Sequence, residues 1–225
     1  MSKTKGLSSI TKKVIMSLAG LFLIVFLLIH LGINIFLLPI VEGNREIFLA
    51  AAEFMSNFWP MKIMEVVLFG GFLLHALYGF IVQLQNWKSR GTQAYKVASK
   101  TQTTFSSKTM IWTGVLVLLF LVMHLYQFYF VKLGFVEGAM LTNGHPDFYT
   151  IAVNLFTTDM IFSSIYIILF IALGFHLYHA FQSAFQTLGW NHPTYTPIVK
   201  VLGNIYAVVV PLGFILIPLY YMFMG

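Results

Sequence analysis

Cysteine is absent from the 225 residues, which excludes disulfides, thiolate metal sites and iron–sulfur ligation by this chain. Charge is scarce as well. Charged residues make up 9% of the chain, where soluble domains carry about 25%. So few polar groups cannot cover a globular surface. A phosphate-cradling glycine loop, a nucleophile triad and paired catalytic carboxylates are also missing, so the hydrolytic classes have no support.

What is there is apolar. Hydrophobic residues make up 59% of the chain and its mean hydropathy is +0.84. Five long runs, at about 14–39, 61–84, 109–132, 159–184 and 198–223, each reach the roughly 20 residues a helix needs to cross a bilayer. The reading is an all-α membrane protein: a single domain over 1–225 with five transmembrane helices. The first run is longer than a signal-peptide core and no small-residue cleavage pattern follows it, so it is read as a retained span. Pro39 and the Trp59-Pro60 pair punctuate the first and second spans, whereas Pro211 and Pro218 predict kinks within the fifth.

Charge sets the expected orientation. Lys3, Lys5, Lys12, Lys13, Lys88, Arg90, Lys96, Lys100, Lys108 and Lys200 flank the spans on one side. Only Arg45, Lys62 and Lys132 lie on the other, together with all seven acids. The positive-inside rule makes the basic side cytoplasmic, with the N-terminus inside and the C-terminus outside. The net charge of +6 is therefore a matter of topology, and no nucleic-acid partner is expected. On the outer side, residues 44–58 and 148–156 are expected to form short helices lying flat at the lipid membrane surface, the second capped by Asp147.

The chain repeats itself. Gly20, Phe26 and His30-Leu31 in the first span recur at identical spacing as Gly114, Phe120 and His124-Leu125 in the third. His75-Ala-Leu-Tyr78-Gly79-Phe80 in the second is echoed by His176-Leu-Tyr-His179-Ala180-Phe181 in the fourth. Spans one and two, and three and four, read as two copies of one hairpin, with the fifth added.

Histidine inside a membrane is costly and marks a functional hypothesis by default. Here four occur on four helices. At 1.5 Å per residue, His30 and His124 lie about 24 and 21 Å from the inner ends of their runs, while His75 and His176 lie on the order of 10 Å from the inner polar boundary. Two histidines share an outer level and two an inner one. Any single one could be a hydrogen-bonded structural group; four at two matched levels suit two bis-histidine haems in a helical bundle, with imidazoles on opposite axial positions. Gly20, Gly114, Gly70, Gly71, Gly79 and Gly174 would let backbones approach a flat macrocycle, or serve ordinary small-residue helix packing. His179, one turn from His176, aligns with Tyr78 in the repeat and is read as a supporting or propionate-binding group. His145 and His192, in loops beside prolines, are read as surface residues. Donors for the inner haem's propionates are Ser107, Lys108, Gln182, Lys88 and Arg90, although topology alone would also place lysines there.

At these residues the chain resembles the single-chain, di-haem cytochrome b anchor of succinate dehydrogenases and quinol:fumarate reductases. The resemblance spans essentially the whole chain and rests on Ile29-His30, His75-Ala-Leu-Tyr-Gly, Val-Met-His124, and Phe-His176 followed by Ser183 and Gly189. It implies two haem b, the distal one between helices one and three and the proximal one between helices two and four. It also implies a multi-pass place in the bacterial inner membrane, an FAD-containing flavoprotein subunit and an iron–sulfur subunit on the cytoplasmic face, and a quinone, often menaquinone, near the distal haem. A dimer of such heterotrimers fits the same resemblance. The chain would carry electrons and perform no succinate chemistry itself. Quinone chemistry moves protons with electrons, and a nearby carboxylate can relay them. Glu65, at the outer start of the second span, is the better placed candidate and Glu53 the other; a plain acid near a helix N-terminus accounts for Glu65 equally well. Two other readings remain. A nitrate-reductase-type five-helix di-haem cytochrome would concentrate its ligands on two helices. A small non-haem transporter would suit the repeat but would call for broken helices at mid-depth.

Overall fold

A computed structural model describes residues 7–90 and 105–225, with side chains described for 7–88 and 109–225. Its elements are α1 (Ser9–Asn34), α2 (Asn44–Asn57), α3 (Trp59–Arg90), α4 (Phe105–His124), α5 (Phe130–Lys132), α6 (Phe148–Thr158), α7 (Met160–Thr187) and α8 (Tyr195–Met224). Among the described residues, five stretches are long and apolar enough to cross a membrane: Ser9–Leu37, Trp59–Lys88, Thr109–Lys132, Met160–Thr187 and Tyr195–Met224. These are the five runs expected from hydropathy, extended mainly at the ends nearer the basic flanks.

The ends have local causes. The Ser8 hydroxyl accepts the Thr11 N–H and caps α1 ahead of the apolar run, so Lys12 and Lys13 lie inside the helix. α1 passes through a tight turn at Ile35–Leu37 and stops at Leu38, whose extended backbone is what the following Pro39 demands. Pro60 sits in the first turn of α3, where a missing N–H removes no helical bond, so the helix begins one residue before it. Pro211 and Pro218 leave α8 continuous and are themselves buried.

α1 packs against α3, and α4 against α7; these are the two hairpins of the repeat. α7 joins them by touching α1, whereas α3 and α4 barely meet. α8 lies mainly along α7 and also reaches α1. Gly174 permits this approach: a Cβ there would stand 3.1 Å from the Ala207 carbonyl of α8. That is the helix-packing role, one of the two readings open for it above. The fully buried core accordingly concentrates in α7 and α8, around Tyr166, Phe170, Val210 and Phe214.

The short outer helices form as expected. Asp147 caps α6 by accepting the Thr150 N–H at 3.0 Å. Its carboxylate also takes a 2.6 Å ion pair from Arg45 of α2, tying the two helices together. Burial pushes the Asp147 carboxyl up, but the Thr150 hydrogen bonds and the Arg45 charge outweigh it and hold it below the usual carboxylate range. Phe48 of α2 and Phe156 of α6 are buried against the bundle.

Candidate functional site

Two histidine pairs form, each across the two hairpins. The His30 and His124 rings are 5.9 Å apart, centre to centre, and nearly perpendicular at 86°. His75 and His176 are 6.2 Å apart at 83°. The partners are those grouped by depth in the sequence. His176, not His179, faces His75.

The inner pair is seated by the repeat itself. A Cβ on Gly20 would stand 3.1 Å from the His75 ring, and one on Gly114 would stand 3.4 Å from the His176 ring. These glycines therefore make room for an imidazole of the neighbouring helix, the packing role that was one of the two readings open for them. One turn earlier, the His75 Nδ1 lies 3.1 Å from the Met16 carbonyl. The His176 Nδ1 lies 3.4 Å from the Thr113 hydroxyl, which itself donates to the carbonyl of Met110, the equivalent position, at 3.0 Å. Only an N–H can bond a carbonyl, so Nδ1 carries the proton in His75. The Thr113 hydroxyl already gives its proton to Met110, so the His176 Nδ1 is the donor there, and each Nε2 is left with its lone pair. A backbone carbonyl on the far nitrogen is the usual support of a metal-bound histidine.

The outer pair is held by packing. His30 stacks on Phe26 at 5.3 Å and meets Phe214 at 5.9 Å. His124 stacks on Phe120 at 5.6 Å and packs on Phe128 at 5.0 Å. Phe170 bridges these groups, touching both Phe120 and Phe214. The His124 Nδ1 is buried without a hydrogen-bond partner. Ten residues separate each seating glycine from the outer histidine of its helix, so the two levels are about 15 Å apart, half the hydrocarbon thickness.

These residues fit two haems. Two imidazoles that hold one metal ion through bonds of about 2.0–2.1 Å have ring centres roughly 6 Å apart. Both pairs stand near that spacing. Ordinary edge-to-face rings occupy the same range, so the distance is a condition met, and the oriented Nδ1–H bonds of the inner pair are the sharper evidence. A haem held by these neutral nitrogens would supply reversible one-electron transfer.

Of the propionate candidates, Gln182 donates to Asn204 of α8 at 3.1 Å, and Lys88 is exposed near the end of α3. The side chains of Arg90, Ser107 and Lys108 lie outside the described residues. His179 is half-buried.

A cavity of about 630 Å³ opens between α2, the start of α3, the end of the third span and the loop before α6. That volume suits a small-molecule ligand. Glu53, Lys62, Glu65, Lys132 and His145 all line it. His145 is exposed, as read from sequence, and it forms part of this wall. Glu65 is engaged twice, by the Tyr129 hydroxyl and by the Lys132 ammonium, both at 2.6 Å. Sequence reasoning missed this arrangement because it depends on a π turn at Leu125–Tyr129, directly after His124. No composition signal marked that turn. Compared with protein-family models, curated proteins and solved structures, the chain matches none.

Proposed function

We propose that this chain is the di-haem cytochrome b anchor subunit of a succinate:quinone oxidoreductase, a succinate dehydrogenase or fumarate reductase. In this reading it lies in a bacterial inner membrane with its N-terminus inside. The observation that carries it is the inner pair: two imidazoles from different hairpins meet across the bundle, each hydrogen-bonded through Nδ1 within its own hairpin. That arrangement presents two unprotonated Nε2 atoms, the requirement for bis-histidine ligation.

Haem b, when bound, supplies a one-electron ferric/ferrous couple at each level. The protein's part is to fix the four imidazoles, exclude water and set the polarity around each pair. Met16, Met110 and Thr113 orient the inner ligands; Phe26, Phe120, Phe128 and Phe214 immobilise the outer ones. Electrons pass between the two levels along the bundle. The flavoprotein and iron–sulfur subunits dock on the basic inner face, near the exposed Lys88. A quinone, menaquinone in this reading, reacts in the outer cavity, where Glu65 takes and releases protons. Spreading the ligands over four helices favours this reading over a nitrate-reductase-type cytochrome.

Pyridine haemochrome analysis of the purified chain tests it, with two haem b per polypeptide expected. None, or one at full occupancy, removes the proposal. Reporter fusions test the orientation: a fusion at Gly225 should report from outside and one within 91–104 from the cytoplasm.

A further inference from the structure

The third span is not one regular helix. At the π turn the Phe130 N–H bonds the Leu125 carbonyl five residues back, which accommodates one extra residue. At about 100° per residue, a continuous α-helix would set Tyr129 about 140° and Lys132 about 80° round from His124. One inserted residue takes back about 100°, leaving them about 40° and 20° to either side of it. The turn thus brings His124, Tyr129 and Lys132 onto one face.

Each of the three meets a functional group. His124 meets the His30 ring. Tyr129 donates to one carboxylate oxygen of Glu65 and Lys132 to the other. Phe128, adjacent to Tyr129, packs on the His124 ring. The turn is anchored from the core, because the hydroxyl of buried Tyr166 donates to Gln127 inside it. A carboxylate with both oxygens taken by donors from one helix has little freedom to turn. This one lines the outer cavity beside its lysine partner.

We infer that Lys132 and Tyr129 are positioning residues for Glu65, and that the π turn registers this carboxylate against the outer histidine pair. The group that handles the quinone's protons is then held by the helix that supplies an outer haem ligand. The inference rests on the quinone-linked, di-haem reading. Its redox balance is that of quinol oxidation: one quinol loses two electrons and two protons. The two one-electron acceptors would be the two haems that the histidine pairs hold, and the protons leave one after the other through Glu65 toward the outer surface.

The test uses the purified chain with its haems and 2,3-dimethyl-1,4-naphthoquinol as reductant, following haem reduction by stopped-flow absorption. Lys132→Met should slow reduction about tenfold at unchanged haem content, because it removes a charge-assisted hydrogen bond. Lys132→Arg should stay within about threefold of the parent, and Tyr129→Phe should slow it about two- to fivefold, since a neutral donor contributes about half as much. Dicyclohexylcarbodiimide, which reacts with protonated carboxyls, provides a readout independent of redox chemistry. Lys132→Met should increase labelling at Glu65, because the carboxylate loses a charge and a hydrogen bond that favour its ionised form. Unchanged reduction in Lys132→Met, or equal slowing by Lys132→Arg, overturns the inference. Increased labelling in a chain that binds no haem would keep the clamp and remove the haem reading instead.

Discussion

The two histidine pairs are alike in spacing and ring angle but are held by different forces. At the inner level, a hydrogen bond to the Met16 carbonyl for His75 and to the Thr113 hydroxyl for His176, with a glycine seat for each, fixes both the tautomer and the position of each ring. At the outer level, stacked phenylalanines fix position alone, and the His124 Nδ1 has no partner. A hydrogen bond fixes which ring nitrogen carries the proton, whereas a stacked ring fixes the ring plane and leaves the tautomer open. The inner pair is thus preorganised within each hairpin before the hairpins meet. The outer pair depends on the assembled core, because Phe170 and Phe214 come from α7 and α8.

The largest effect expected from this contrast is the loss of one spectral component at a time. His75→Ala or His176→Ala should each abolish the same inner b-type signal, and His30→Ala or His124→Ala the outer one, in reduced-minus-oxidised spectra. Loss of the inner signal with His179→Ala while His176→Ala spared it would reassign the ligand on α7.

Next in size is loss of quinone chemistry with both signals kept. Glu65→Gln should preserve both haems and succinate oxidation with an artificial acceptor, yet lower quinone-linked turnover at least tenfold. Unchanged turnover would remove Glu65 from the mechanism.

The glycine seats divide the inner pair itself. Gly20→Ala brings a Cβ to 3.1 Å from the His75 ring, tighter than ordinary contact, whereas Gly114→Ala meets His176 at 3.4 Å. Gly20→Ala should therefore lower inner-haem occupancy clearly and Gly114→Ala only slightly, measured as haem per chain. Equal losses would mean that the two hairpins are not seated as described.

The smallest effect belongs to the outer cap. Arg45 is 43% exposed, so Arg45→Met should cost less than about 1 kcal/mol in thermal unfolding. Because the Asp147 carboxyl is held below its unfolded value, its contribution is present above the ordinary carboxylate range. It fades as pH falls through the lowered folded value. Destabilisation by Asp147→Asn should accordingly be visible at neutral pH and shrink below about pH 4.

Sequence by itself determined the solvent, the number of spans and the grouping of His30 with His124 and of His75 with His176. Hydropathy is summed along the chain, and depth follows from a constant rise per residue, so both can be read without knowing any neighbour. The caps at Asp147 and the helices at 44–57 and 148–158 were legible for the same local reason. Tertiary structure decided the rest. Which carbonyl receives an imidazole N–H, and that Gly20 and Gly114 are seats while Gly174 is a groove for α8, depend on how the helices are rotated against one another. The Lys132–Glu65 pair and the place of His145 on the cavity wall depend on the π turn and on a loop folding back over the outer end. Rotation about a helix axis changes which side chains meet while leaving the hydropathy of every span unaltered, so composition cannot carry that information.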